Sequence, residues 1–241
     1  MRSPETSDLP ISTEVARRLW VPFGGSLDIE IAHGLPIGRG FGMSASGALA
    51  TALAVARATG ATRQHAIEVA HLAELFGGGG LGGVAAILGG GLEIRERPGV
   101  PPFGAVRHAP FVPSIFLSVA GRPLLSPPLL GDPMFLARVS AAAEEGLEYL
   151  GREPSVERFL VASERFTDRL ALAAPPLRRT IRSMRNRDVA VAQAMFGRSL
   201  FAVAVSPPGR AHIERSLERA GLPAVELNAA TRGAWARSLP P

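Results

Sequence analysis

The sequence has 241 residues, of which 46% are hydrophobic and 20% charged, a composition typical of globular domains. This length is enough for one sizeable domain or two small ones. The chain has no cysteine, which excludes disulfides, thiolate metal sites and a cysteine nucleophile. All 26 basic residues are arginine, so a Walker-type lysine and a Schiff-base lysine are excluded too, and the net charge is only +5.

The chain shows neither a membrane span nor a secretion signal. No apolar run approaches the roughly 18–20 uninterrupted residues of a spanning helix. The stretch from Met1 to Asp8 lacks the apolar core of a signal peptide. Together with the absence of cysteine, these observations predict a cytoplasmic protein.

The first half of the chain predicts a strand, a glycine loop and a buried helix, followed by further short elements. Alternating polar and apolar residues predict the first strand, and helical spacing of apolar residues predicts the helices. The predicted elements are, in chain order, a strand at Leu27–Ile31, the loop at 36–48, helices at Ser44–Thr59 and Arg63–Phe76, a short apolar element at Val84–Leu88, and strands at Leu92–Arg95 and Phe111–Val119.

The second half is richer in predicted helices, and a proline-rich stretch at Ser126–Pro133 marks the predicted boundary between two lobes. The predicted elements are helices at Phe135–Leu150, Ser155–Leu172, Pro176–Arg187, Val189–Phe196 and Ala211–Gly221, and strands at Ser199–Ser206 and Ala224–Leu227. An arginine cluster falls in this half, at Arg178, Arg179, Arg182, Arg185 and Arg187. We interpret it as a solvated helix end, with binding of an anionic ligand or of nucleic acid as the alternative.

The loop at 36–48 is the most informative segment, because closely spaced glycines lead directly into a helix. Gly38, Gly40 and Gly42 allow positive φ and close approach of an anion, and the first helical amides point unpaired N–H groups at it. A dinucleotide-binding loop fits poorly, since no acidic residue follows at the required distance. A nucleophile elbow is excluded because Ser46 stands where the second glycine is needed. A plain glycine turn capped by Ser44 is the structural alternative.

A set of motifs resembles the GHMP kinases, the superfamily of galactokinase, homoserine kinase, mevalonate kinase and phosphomevalonate kinase. The first is Pro36-x-x-x-Gly40-Phe41-Gly42-Met43-Ser44-Ala45, which resembles the phosphate-binding motif of that superfamily. The order of the later motifs is similar to that of the archaeal pantoate kinase branch; they are His71-Leu72-Ala73-Glu74, Gly80-Leu81-Gly82, Gly89-Gly90, Ile94-Arg95, Pro98-Gly99, Pro101-Pro102-x-Gly104 and Ala194 to Ala202.

The resemblance implies an α+β fold of two lobes, an S5-like N-terminal lobe at 1–125, apparently truncated, and a ferredoxin-like C-terminal lobe at 126–241. It implies ATP-dependent phosphorylation of pantoate to 4-phosphopantoate in coenzyme A biosynthesis, with Mg²⁺ bound by Ser44 and Glu74. Gly82 and Gly197 would lie near the substrate. The partner would be a small hydroxy acid, with a homodimer left open and nucleic acid not expected. The nucleotide phosphates would be held by Gly38, Arg39, Gly40, Phe41, Gly42, Met43, Ser44, Ala45, Ser46 and Gly47.

Two departures from the family pattern leave alternatives open. The residue after Gly82 is Gly83, where these kinases carry the Asp expected to act on the acceptor hydroxyl, so a carboxylate restored there should raise turnover. The chain also opens without the family's glycine-rich N-terminal segments. The alternatives are another acceptor, such as homoserine, shikimate or a mevalonate derivative, or a catalytically impaired nucleotide-binding homologue. A nucleic-acid binder is the third choice.

The remaining candidates are histidines and arginines near these motifs. We interpret His33, His65 and His71 as structural or surface histidines rather than catalysts. Arg95 and Arg107 are interpreted as solvated, with contact to an anionic substrate as the alternative.

Overall fold

The computed structural model describes residues 9–80, 82–111, 113–122, 127–151 and 153–238. These residues form two compact units. The described residues of the first unit are 9–37, 42–108 without 81, and 231–238, and those of the second are 38–41 and 109–230 with the gaps given above. None of the described helices is both long and apolar enough to cross a membrane.

The first unit is built around a helix that is apolar on almost every side. This helix, α2, packs against α1 and α3, and its alanines allow close approach on several faces at once. Ala48, Leu49 and Ala52 have no exposed surface. The elements of this unit are α1 (Pro10–Trp20), a 3-10 turn (Val21–Phe23), α2 (Met43–Thr59), α3 (Arg63–Phe76), α4 (Gly83–Ala86), and a two-stranded sheet of β1 (Leu92–Arg97) and β2 (Ala105–Ala109).

The second unit is an antiparallel sheet of four strands covered by helices, in the order β4-β5-β3-β6. Helix α8 places Leu177, Ile181 and Met184 on one face, at helical spacing, and these side chains join the core over β4 and β5. The elements are β3 (Ile115–Val119), α5 (Pro127–Leu130), α6 (Pro133–Leu150), α7 (Val156–Leu170), α8 (Pro175–Met184), β4 (Val189–Gln193), β5 (Ser199–Ala204), α9 (Pro207–Arg219) and β6 (Val225–Leu227).

The predicted α+β class is confirmed, and most predicted helices and strands are present with shifted ends. The helix predicted at Val189–Phe196 is wrong, because β4 and a turn occupy this segment. Periodicity does not separate a short buried strand from a helix, and pairing of Val191 with Ala202 of β5 decides for the strand. Helix α1 and strand β2 were missed.

The strand predicted at Leu27–Ile31 is also wrong. Its alternating pattern is present, but no strand among the described residues pairs with it, and a strand requires a neighbour for its backbone groups. The strand predicted from Phe111 begins only at Ile115, since Pro113 has no N–H to donate, and Val112 lies outside the described residues.

The predicted division of the chain after residue 125 stays a prediction. In the structure, residues 109–230 belong with 38–41 to the second unit, and β3 joins the sheet of that unit by pairing with β5 and β6. Met1–Asp8, Leu81 and Ser126, on which parts of the sequence interpretation fall, lie outside the described residues.

Candidate functional site

The start of α2 has the backbone that the sequence predicts for an anion-binding loop. Gly38, Gly40 and Gly42 have φ of +71°, +82° and +70°, the left-handed region that favours glycine. The first helical hydrogen bond joins the Ser46 amide to the Gly42 carbonyl at 3.0 Å. Within the described chain no side chain caps this helix. The amides at the start of α2 are therefore oriented for an external acceptor.

Ser44 and Glu74 are in direct contact. The hydroxyl of Ser44, in the first turn of α2, donates a hydrogen bond to Oε1 of Glu74 on α3. Ser44 therefore does not cap its own helix, and the interpretation of the loop as a turn capped by Ser44 is wrong. Two oxygen groups of the type that Mg²⁺ prefers are thus brought together from residues 30 positions apart.

Glu74 is an almost completely buried carboxylate, with 1% of its surface exposed. Burial raises its pKa above the ordinary value near 4.5, and hydrogen bonds from Ser44 and the Gly80 amide act in the opposite direction. Burial is the largest of these effects. Desolvation of a charge is costly unless a partner compensates it, and a bound cation is one such partner.

The glycine run after α3 is packed against this carboxylate. A Cβ on Gly79 would lie 2.8 Å from Oε2 of Glu74, closer than real contacts allow. At Gly77 a Cβ would lie 2.6 Å from the Ala73 carbonyl oxygen. The contacts at Gly77 and Gly79 are ones that only glycine permits. Gly79 leaves the space that the Glu74 carboxylate occupies.

Gly83, where the family pattern has Asp, begins α4 beside the first turn of α2. A Cβ at this position would lie 2.6 Å from the Cβ of Ala45 and 3.8 Å from Oε2 of Glu74. The space that a side chain at position 83 would need is therefore filled by Ala45. Among the described residues, the one charged group within 4 Å of that position is the Glu74 carboxylate.

Gly82 lies against Arg95 of β1. A Cβ on Gly82 would be 2.5 Å from Nη1 of Arg95, so the guanidinium lies directly on the glycine backbone. Burial, and to a lesser degree the charge of Arg95, lower the pKa of His71 on α3. His71 is therefore neutral at pH 7, and the positive charge in this cluster is that of Arg95.

Gly40 and Gly197 interlock in the second unit. A Cβ on Gly40 would overlap the Ala194 carbonyl, and one on Gly197 would overlap the Arg39 carbonyl. The turn between β4 and β5 is held by the Gly197 amide, which donates to the Ala194 carbonyl at 2.9 Å. The hydroxyl of Ser199 donates to the Arg39 carbonyl. The structure thus brings the predicted Gly197 against the predicted phosphate loop.

Several other candidates have structural contacts. The imidazole of His33 lies beside Gly47, and the His65 amide is capped by the Thr62 hydroxyl at 3.1 Å. Arg107 pairs with Glu96 across the β1-β2 sheet, N to O 2.7 Å. In the arginine cluster, Arg185 is 17% exposed and pairs with Asp168 at 2.6 Å, so this member is structural rather than solvated.

Comparison with known proteins agrees with this geometry. Residues 11–91 match the family model described as the GHMP kinases N terminal domain. The chain is 35% identical to pantoate kinase of Thermococcus kodakarensis over 200 residues, covering 80% of this chain and 65% of the relative. Residues 11–91 therefore have the N-terminal domain of the GHMP kinases, and the likeness to the pantoate kinase extends over 80% of the chain. The chain spans slightly less than two thirds of that relative's length.

Two solved structures have a similar fold. A phosphotransferase related to the coenzyme A biosynthesis pathway superposes with a TM-score of 0.75 at 28% identity, covering 93% of this chain and 74% of that one. Homoserine kinase from Cytophaga hutchinsonii gives a TM-score of 0.63 at 13% identity, covering 95% and 78%, and its likeness concerns the fold alone.

Sequence reasoning missed two residues that the structure brings into contact with this candidate site, Ser199 and Gly79. Ser199 lies two residues after Gly197 in a matched motif, but nothing in a sequence indicates that its hydroxyl holds a carbonyl 160 positions away. Gly79 was visible as part of a glycine run. Its significance depends on the direction in which the Glu74 side chain leaves α3, which sequence does not give.

Proposed function

We propose that this chain is an ATP-dependent kinase that phosphorylates pantoate to 4-phosphopantoate. The observation that carries the proposal is the 35% identity to a pantoate kinase over 80% of the chain. The Ser44–Glu74 pair at the start of a glycine loop supports it from geometry, because phosphoryl transfer needs phosphate binding and a metal site close together.

The loop and first turn of α2, residues 38–47, would bind the triphosphate. Positive φ at three glycines allows the backbone to approach phosphate oxygens closely, and the uncapped amides at the helix start would donate to them. The helix dipole adds a favourable partial charge at this end. Because the chain has no lysine, backbone amides, arginine and metal must together neutralise the phosphates.

Ser44 and Glu74 fit a magnesium ion, since one hydroxyl and one carboxylate are hard oxygen ligands. The described residues contain no group of three or more acidic or histidine side chains suited to a metal. Mg²⁺ commonly needs only one or two carboxylates, because substrate phosphates and water complete its coordination. A bound ion would supply positive charge that offsets the charge of the phosphates. The buried Glu74 carboxylate would in turn gain a cationic partner.

Gly82 and Arg95 would face the acceptor, with the cation of Arg95 matching the carboxylate of a hydroxy acid. In the reaction the acceptor hydroxyl oxygen forms a bond to the γ-phosphorus, the bond from phosphorus to the ADP oxygen breaks, and the hydroxyl proton passes to solvent water. Gly83 offers no acceptor for this proton. A slow chemical step is therefore expected even where binding is tight.

Gly83 also favours a second candidate function, a nucleotide-binding homologue with little or no turnover. The Cβ of Ala45 fills the space that an Asp side chain would need, so the packing around position 83 is adapted to glycine. Nucleotide binding by the loop would survive such a loss, because the loop does not include position 83.

The experiment is a coupled assay of ADP formation with ATP, Mg²⁺ and pantoate, and mass detection of phosphopantoate. Ser44→Ala and Glu74→Ala serve as site variants. Pantoate-dependent ADP formation that both variants abolish supports the kinase. If ATP binds but no phosphopantoate forms, the proposed kinase activity is overturned and the second candidate function is supported. Parallel assays with homoserine, shikimate and mevalonate test the identity of the acceptor. If any of them is turned over faster than pantoate, that compound becomes the proposed acceptor.

A further inference from the structure

Arg39 lies within the phosphate loop, and its backbone is fixed from several sides. Gly38 and Gly40, which flank it, both have positive φ. Its carbonyl accepts a hydrogen bond from the Ser199 hydroxyl, and Gly197 packs directly on the same carbonyl. A backbone held in this way also fixes the direction in which the side chain leaves the loop.

The guanidinium of Arg39 is shielded from solvent at two of its nitrogens. Nε and Nη1 are both buried, and neither has a hydrogen-bond partner within the described part of the chain. An unpaired, buried charged donor is destabilising, and proteins rarely retain one without a functional reason. This side chain is therefore an exception that requires an explanation.

Arg185 of the same unit shows how the protein treats a buried arginine that serves the fold. Its Nε donates to the Val191 carbonyl at 2.8 Å, and its Nη1 donates to Asp168 at 2.6 Å. Glu164 lies 3.2 Å from the same Nε. Arg39 has no comparable set of partners among the described residues, although it is set in the more constrained backbone.

We propose that the Arg39 guanidinium is the cation that this chain supplies to the polyphosphate of its bound nucleotide. Its donors are left unpaired in the free protein and are satisfied by phosphate oxygens on binding. This rests on the proposed nucleotide-binding function and extends it from the loop's backbone to a side chain. In a chain without lysine, an arginine in the phosphate loop supplies charge that the backbone amides alone do not.

The test compares the wild type with Arg39→Met and Arg39→Lys, and with Arg187→Met as the matched control, since the Arg187 side chain is 93% exposed. Thermal unfolding is measured without ligand and with inorganic triphosphate, ATP, adenosine or pantoate. Calorimetry gives the affinities. Inorganic triphosphate isolates the phosphate contacts from those of the base and sugar.

We expect Arg39→Met to keep or raise the ligand-free Tm, because two buried N–H donors without partners among the described residues are removed. We expect it to bind triphosphate and ATP about 10- to 100-fold more weakly. The triphosphate affinity of Arg39→Lys should lie between those of the wild type and Arg39→Met. Arg187→Met should match the wild type, and the pantoate affinity of all variants should be unchanged.

A lower ligand-free Tm for Arg39→Met with unchanged triphosphate affinity would make Arg39 structural and overturn the proposal. Selective loss of pantoate affinity would overturn it in favour of a carboxylate ligand. If triphosphate binds equally to the wild type and Arg39→Met, the proposal fails while the proposed phosphate loop stands. If the wild type binds neither triphosphate nor ATP, the proposed function fails with it.

Discussion

At the scale of single residues, burial of the Glu74 carboxylate destabilises the folded protein, and the same carboxylate is the proposed metal ligand. The side chain is buried, its pKa is raised by that burial, and its nearest neighbours are the Ser44 hydroxyl and the backbone of the glycine run. A carboxylate in such a position is destabilising at neutral pH without a cation. This conflict between stability and metal binding can be measured.

We expect Glu74→Gln to stabilise the metal-free protein at neutral pH. Between the ordinary pKa near 4.5 and the raised value, folded Glu74 holds a proton that the unfolded chain has released. The wild type's free energy of unfolding therefore falls as pH rises through that interval. Gln has no such dependence, so the Tm of the variant should exceed that of the wild type above the interval and match it below. Unfolding followed by circular dichroism from pH 4 to 8 measures this.

The same variant should weaken apparent Mg²⁺ affinity in the nucleotide complex at least about 10-fold. Mutation of a residue that only orients a metal ligand already lowers metal affinity typically about 10- to 100-fold. Glu68→Gln is the matched control on the same helix, because Glu68 contacts Gln64 at the surface. Equal pH profiles of unfolding for Glu74→Gln and the wild type would contradict the burial argument.

At the scale of elements, the close packing of α2 on α4 changes the test of the missing Asp. From sequence alone, Gly83→Asp should raise turnover. In the structure its Cβ would lie 2.6 Å from that of Ala45, so the single substitution also displaces one of the two helices. Overpacking of this kind typically costs about 1–3 kcal/mol.

We therefore expect Gly83→Asp to lower the Tm without a clear gain in activity, and the double variant Ala45→Gly/Gly83→Asp to turn over faster. If the missing base limits the rate, the gain over Ala45→Gly alone should be on the order of 10²-fold or more. Steady-state kinetics with ATP and pantoate provide the measurement. The matched control is Ala45→Gly/Gly83→Asn, and a rate equal to that of the Asp variant would show that the carboxylate is not what limits turnover.

The turn between β4 and β5 provides a second prediction at this scale. In Gly197→Ala the added methyl group would overlap the Arg39 carbonyl, and we expect a loss of about 1–3 kcal/mol in stability together with weaker ATP binding. Gly34→Ala is the control, because a Cβ there meets nothing within 4 Å and should change stability by less than about 0.5 kcal/mol. Urea unfolding and calorimetry measure both effects. Indistinguishable behaviour of the two variants would contradict the interlocking of Gly40 and Gly197.

At the scale of the whole molecule, the balance of charges leads us to expect no nucleic-acid surface. Arginines are balanced by 21 acidic residues, and several are paired within the protein, including Arg17 with Glu14, Arg185 with Asp168 and Arg210 with Glu226. Non-specific binding to DNA depends on the number of phosphates that free cations neutralise.

We expect a dissociation constant for short duplex DNA weaker than about 10⁻⁴ M at 150 mM salt. Fluorescence anisotropy over a range of salt concentrations measures it. Tight binding that weakens steeply as salt increases would contradict this expectation and would restore the nucleic-acid alternative.

Long periodic helices were predictable, as the helix at Arg63–Phe76 illustrates, because its apolar spacing and the Thr62 cap are local signals. The segment at Val189–Phe196 was not, since a short apolar run fits either secondary structure and the pairing partner β5 makes the choice. The alternating segment at Leu27–Ile31 shows the converse, a strand pattern that acquires no partner among the described residues.

Local signals were enough to predict the glycine loop, the helix that follows it and the resemblance to the GHMP kinases, because backbone freedom at glycine and motif order can be read along the chain. Tertiary structure alone decided that Ser44 contacts Glu74 rather than capping α2, that Ala45 fills the space beside Gly83, and that Gly197 packs on Arg39. Each of these depends on where two distant segments meet. Such contacts are set by the packing of whole elements, which neither composition nor spacing records.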